Sequence, residues 1–155
     1  MWQKNPVGFF DGASKKGVCE AGFVIKLNNS RIFRGWLKAS LGSNTRDEVI
    51  GLWSLLHYAR IWGVDHFQAL GDSQVVINWV KGKTGLKTLE LPHWLDSIVL
   101  QKKVFSWITF DHVYKDFNQE VDDLSKLDFG DMDSIIHYSF NLDGVVTEAG
   151  NLVFF

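Results

Sequence analysis

The sequence predicts an α/β domain built on a five-stranded mixed sheet flanked by helices, with a hairpin-like extension at its C-terminus. Three observations predict it. Apolar residues alternate with period two up to Lys38, then recur at helical spacing from Thr45 to Trp62. Beyond Trp62, strand-like and helix-like stretches alternate, which requires helical crossovers and parallel strands. Near the end, Asp143-Gly144 separates two β-rich runs. The element order reads βββαβααβα, three antiparallel strands and then parallel ones, over residues 1–128, with the extension over 129–155 packed on the same domain.

Each element has its own signal. Val7-Gly8-Phe9-Phe10 is an apolar run cut by Asp11-Gly12, a strand followed by a turn. Cys19 to Leu27 alternates Ala21, Phe23 and Ile25 against Gly22, Val24 and Lys26, and Asn28-Asn29-Ser30 forms the next turn. Ile32 to Lys38 completes a meander. Val49, Leu52, Leu55, Leu56 and Ala59 stripe the first helix, which Gly63 ends. Phe67 to Leu70 is a strand, and Gly71-Asp72-Ser73 opens a helix carrying Val76, Trp79 and Val80. A lysine- and threonine-rich loop, Lys81 to Leu91, leads to a helix over His93 to Phe105 and a strand over Trp107 to Val113. Asn118 caps a last helix reaching Leu127. Trp53 and Trp62 fall on or beside the apolar stripe and read as core; Trp79, near the lysine loop, also reads as core, with packing on a sugar or base as the alternative.

Composition narrows the function. At 155 residues, 46% hydrophobic and 14% aromatic, the chain suits one domain with a single core and is not a disordered polymer. No apolar run reaches the roughly 18 residues of a membrane helix. The first residues lack a signal-peptide pattern, and the single Cys19 suits a reducing compartment, so an intracellular protein of the cytoplasm or nucleus is expected. The net charge of −2 offers no general attraction to nucleic acid; specific residues must make that case.

Four carboxylates make it. Positions 48, 52, 55 and 59 share one helix face, so Glu48 heads a stripe otherwise made of Leu52, Leu55 and Ala59. Asp11 and Asp72 follow strands, at the edge where open α/β sheets build their sites. Asp122 lies in the first turn of the last helix. Singly, each has an ordinary explanation: a dipole-favoured acid, a turn, a helix cap. Together, four acids at one sheet edge would repel strongly unless hard divalent cations neutralise them. The chain carries neither a Cys/His zinc cluster nor a Gly-x-x-x-x-Gly-Lys loop. The acids point to metal-assisted phosphodiester hydrolysis.

Phe10-Asp11-Gly12-Ala13-Ser14, Thr45-Arg46-Asp47-Glu48, Gly71-Asp72-Ser73-Gln74-Val75-Val76 and His112-Val113-Tyr114-Lys115-Asp116-Phe117-Asn118-Gln119-Glu120-Val121-Asp122 resemble the four catalytic blocks of the ribonuclease H family. More narrowly, the chain resembles the plant group related to ribonuclease H domains of non-LTR retroelements, over about residues 7 to 128. It implies a ribonuclease H-like fold and a magnesium site of two ions, with manganese able to substitute. Asp11 would contact both ions, Glu48 and Asp72 would complete one side, and Asp122 the other. One ion would activate water and the other stabilise the leaving 3′ oxygen. Ser14, Ser43, Asn44 and Ser73 would lie along the substrate, with Lys81 and Lys83 reaching phosphate.

The leading expectation is therefore a monomeric endoribonuclease cutting the RNA strand of an RNA–DNA hybrid. Departures from the family bear on substrate. Asp47 stands where the group has an apolar residue, Lys15-Lys16-Gly17 replaces a phosphate pocket, and the basic protrusion is reduced to Lys81, Lys83 and Lys87. Relaxed grip on a DNA strand would admit double-stranded RNA and a role in antiviral defence. A catalytically silent nucleic-acid-binding module is the reading from another class. His112, in the last strand, reads as structural.

Overall fold

In the computed structural model the described residues are 5–15, 18–28, 30–40, 44–85, 92–114, 119 and 135–153. The strands β1 (Val7–Lys15), β2 (Val18–Lys26) and β3 (Arg31–Ser40) form the expected antiparallel meander. Asn28 shapes the β2–β3 turn through Oδ1, which accepts from the backbone of Ser30 at 2.9 Å and of Arg31 at 3.0 Å. Helix α1 (Asn44–Ile61) follows, then β4 (His66–Gly71), α2 (Gln74–Val80), α3 (Pro92–Lys102) and β5 (Trp107–His112). Strand β4 pairs parallel with both β1 and β5, so the sheet is mixed, as expected.

The strand count differs from the expected five. Strands β6 (Ile135–Leu142) and β7 (Val145–Val153) join the same sheet, whose order is β5-β4-β1-β2-β3-β6-β7. An uncovered β3 would present a row of unpaired backbone groups, and β6 satisfies it. The turn between β6 and β7 has the predicted Asp-Gly chemistry, with Asp143 at φ 53 and Gly144 at φ 80. Asp143 N also donates to Ser30 O at 2.7 Å, tying the hairpin tip to the β2–β3 turn. The last helix expected over Asn118 to Leu127 lies outside the described residues, apart from Gln119.

The stripe of α1 explains how the layers hold together. Val49, Leu52, Leu55, Leu56 and Ala59 are fully buried, and each larger side chain contributes about 1.5–3 kcal/mol by leaving water. Two glycines let the helix settle onto the sheet. A Cβ on Gly8 would strike the side chains of Phe67 and Leu55, and one on Gly51 would lie 2.7 Å from Asp11 O. At the far end of α1, Trp62 packs on Phe140 with ring centroids 4.8 Å apart, and Phe33 stacks on Tyr138 at 5.7 Å. These contacts fasten the hairpin to the core. Trp53 packs against the core and donates to Ser97 Oγ at 2.7 Å, joining α1 to α3. Trp79 also packs against the core.

Candidate active site

Strand register brings the first two acids together. Phe10 pairs with Gly71 across the parallel β1–β4 ladder, so the next residues, Asp11 and Asp72, emerge side by side at the carboxyl end of that pair. Strand β1 does not stop there. It runs on to Lys15 with Asp11 paired to Gly22, so Asp11-Gly12 is mid-strand rather than the expected turn. Gly12 serves close approach instead: a Cβ there would collide with the backbone of Asp47 and Glu48. That contact sets the first turns of α1 directly over Asp11 and brings Glu48 to it.

The result is a cluster in which one carboxylate oxygen each from Asp11, Glu48 and Asp72 lies within 4.8 Å of the others. Asp11 is buried, with Oδ1 accepting from Gly12 N at 2.9 Å. Glu48 hydrogen-bonds to the Asp11 side chain and accepts from the Gly12 backbone. Burial first, then the charges of Asp11 and Asp72, push Glu48 from 4.5 up to about 11. Its Oε2 is buried without a hydrogen-bond partner among the described residues. Two like charges at such separations repel by on the order of 3 kcal/mol at an effective dielectric near 20. Three hard oxygen donors, one of them orphaned, match the ligand preference of a small divalent cation.

Asp72 is free for this role because it is not the cap of α2. Ser73 is the N-cap, its hydroxyl accepting from Val76 N at 3.4 Å. Glu48 and Asp72 open onto a cleft of about 450 Å³ that Thr45, Ser73, Val75, His112 and Tyr114 also line. His112, read from sequence as structural, lines this cleft and bonds to backbone within it. It closes β5 opposite Gly71, and its Nε2 lies 3.1 Å from Asp72 O, where it acts as the donor.

The other predicted residues divide. Ser14 pairs with Cys19 on β1 beyond Asp11, and Asn44 opens α1. Lys81 caps the end of α2 and lines a different hollow with Lys102, Thr109 and Asp111. Lys83 is exposed in the turn after it. Asp122 and Ser43 lie outside the described residues. Thr45, Val75 and Tyr114 line the cleft without having been assigned a role from sequence. Thr45 and Val75 lie in the first turns of α1 and α2 and Tyr114 two residues past β5, and that position near element ends is the signal that would have found them.

The mixed sheet with acids at this edge defines a ribonuclease H-like fold. The chain belongs to the reverse transcriptase-like family, the ribonuclease H-like domains of retroelements, whose model matches residues 9–127. No curated protein matches it. Among solved structures, ribonuclease H1 from the halophilic archaeon Halobacterium salinarum NRC-1 is similar, at 24% identity and a TM-score of 0.72, covering 77% of this chain and 93% of that one. The N-terminal ribonuclease H domain of a Mycobacterium tuberculosis protein is 21% identical, with a TM-score of 0.70 and coverage of 77% and 89%. LC11 ribonuclease H1, solved in complex with an RNA/DNA hybrid, is 18% identical, with a TM-score of 0.68 and coverage of 77% and 93%. The β6–β7 hairpin lies beyond the residues that the family model matches. No helix among the described residues is long and apolar enough to cross a membrane.

Proposed function

We propose that this protein is an endoribonuclease that hydrolyses the RNA strand of an RNA–DNA hybrid using two magnesium ions, for which manganese can substitute. The observation that carries the reading is the convergence of Asp11, Glu48 and Asp72 within 4.8 Å where the parallel β1–β4 pairing ends. The family and the hybrid-bound structure of similar fold support a hybrid as the substrate class.

Divalent ions bound here would supply charge neutralisation at the scissile phosphate and activation of water. The protein's own residues do the rest. Asp11, held rigid mid-strand and buried, anchors the cluster. Glu48, whose carboxyl is held well above the usual range by burial and by Asp11 and Asp72, would serve as a ligand in its ionised form once a cation offset those charges. Asp72 presents its carboxylate to the cleft while Ser73 satisfies the helix end behind it. Asp122 completes the ligand set in this reading. Ser14, Ser43, Asn44 and Ser73 line the path of the substrate, and Lys81 and Lys83 reach its phosphates further out. The RNA strand is chosen by contact with its 2′-hydroxyl.

The test is a magnesium-dependent cleavage assay on matched labelled RNA–DNA hybrid, double-stranded RNA and single-stranded RNA, with Asp72→Asn as the contamination control. Cutting confined to the hybrid is expected. Preferential cutting of double-stranded RNA would replace the hybrid as substrate and favour a defence role. No cutting of any of the three would leave a silent binding module.

A further inference from the structure

The mouth of the cleft carries a feature that a cation site does not need. Tyr114 is 75% exposed and Val75 is 56% exposed, yet both line the hollow that holds Glu48 and Asp72. Val75 stands on α2 just beyond Asp72, and Tyr114 follows β5, so apolar surface borders the carboxylates from two different elements. Metal ions, water and phosphate gain nothing from an aromatic face or an isopropyl group. Apolar surface left in water is unfavourable until something with carbon–hydrogen faces covers it.

The tyrosine is also held in place. The Tyr114 ring meets His112 edge-on, with centroids 5.7 Å apart at 80°. His112 in turn donates to Asp72 O, and Val113 N donates to Gly71 O at 2.9 Å. Two hydrogen bonds thus tie the segment bearing Tyr114 to the backbone around Asp72. An exposed aromatic side chain fixed in this way is preorganised for contact.

We propose that Tyr114 is a substrate-contact residue, its ring packing on a nucleotide next to the phosphate held at the carboxylates, with His112 bracing the ring. The inference rests on the nucleic-acid reading above and names the residue that would grip the strand. A nucleotide strand alone among the candidate occupants offers both requirements in one ligand: a phosphate for the charged floor and a sugar or base face for the apolar rim. The ring, rather than the hydroxyl, makes the contact.

The experiment measures affinity apart from turnover. Fluorescence anisotropy of a labelled RNA–DNA hybrid, with calcium replacing magnesium, is compared for the wild type, Tyr114→Ala and Tyr114→Phe. Stacking on one base corresponds to about 1–3 kcal/mol. We expect Tyr114→Ala to weaken binding about tenfold and to raise KM for cleavage in parallel, with kcat within about threefold. Tyr114→Phe should stay within twofold of the wild type in both. Hybrid binding that depends on the ring, in a protein that cuts nothing, would sustain Tyr114 as the contact and overturn only the nuclease reading. Cleavage by a Tyr114→Ala variant with wild-type affinity and KM would overturn the contact while leaving the nuclease reading intact. Absence of hybrid binding by the wild type would overturn both.

Discussion

Gly12 lies so close beneath Glu48 that a Cβ at position 12 would collide with the Asp47–Glu48 peptide. The distance between the central strand and helix α1 is therefore set at the site itself, and the separation of Glu48 from Asp11 depends on it.

Gly12→Ala should consequently damage stability and site together. Forcing a methyl group against backbone rather than a flexible side chain costs about 1–3 kcal/mol. We expect a lower melting temperature and a loss of cleavage larger than the unfolded fraction explains. Full activity in the folded Gly12→Ala protein would show that Glu48 tolerates displacement.

The metal-free protein should lose stability as pH rises. Glu48 has a folded-state pKa near 11 against 4.5, so its contribution is fully present below pH 4.5 and declines as pH climbs toward 11. Between pH 4.5 and pH 7 the decline amounts to up to about 3 kcal/mol. Urea midpoints at pH 5 and pH 7 should show it, and Glu48→Gln should flatten the slope. An equal slope in that variant would place the titration elsewhere.

Ser73 provides a separable effect. Loss of its cap in Ser73→Ala should cost about 0.5–1 kcal/mol, at the low end of capping effects because its bond to Val76 N is long, at 3.4 Å. Chemical denaturation measures this directly. A loss above about 2 kcal/mol would mean that the hydroxyl supports more than the helix end.

The hairpin should matter for folding and not for chemistry. Phe140 is 8% exposed and packs on Trp62, so Phe140→Ala should destabilise by about 3 kcal/mol. Its kcat, corrected for folded protein, should match the wild type. A selective loss of kcat would connect the extension to the site.

Much of this arrangement is legible in the residues. Alternation in β2 and β3 and the Leu52, Leu55, Leu56 stripe of α1 are local patterns, and the corresponding elements form where those patterns place them. Asp143-Gly144 makes its turn because positive φ is a property of those residue types. Asp72 follows the end of β4 and Glu48 heads the buried stripe of α1, both as the local patterns place them. What escaped is non-local. The pairing of β6 with β3 leaves no signature in either strand, so the sheet gains two strands over the expected five. Gly12 looks like a turn residue until α1 is seen above it. Asp72 and Ser73 are both good caps, and only the backbone decides between them. His112 and Tyr114 become site residues because β5 lies beside β4, which spacing along the chain does not reveal.

The most direct test of the account is a calorimetric titration of magnesium, with manganese as a second probe, into the wild type and Asp72→Asn. Saturable binding is expected in the wild type and is lost in Asp72→Asn, whose circular dichroism spectrum should be unchanged. The metal-free variant should melt no lower than the wild type, since one repelling charge has gone. Undiminished metal binding in a folded Asp72→Asn protein, or none in the wild type, would contradict the claim that Asp11, Glu48 and Asp72 form a metal centre.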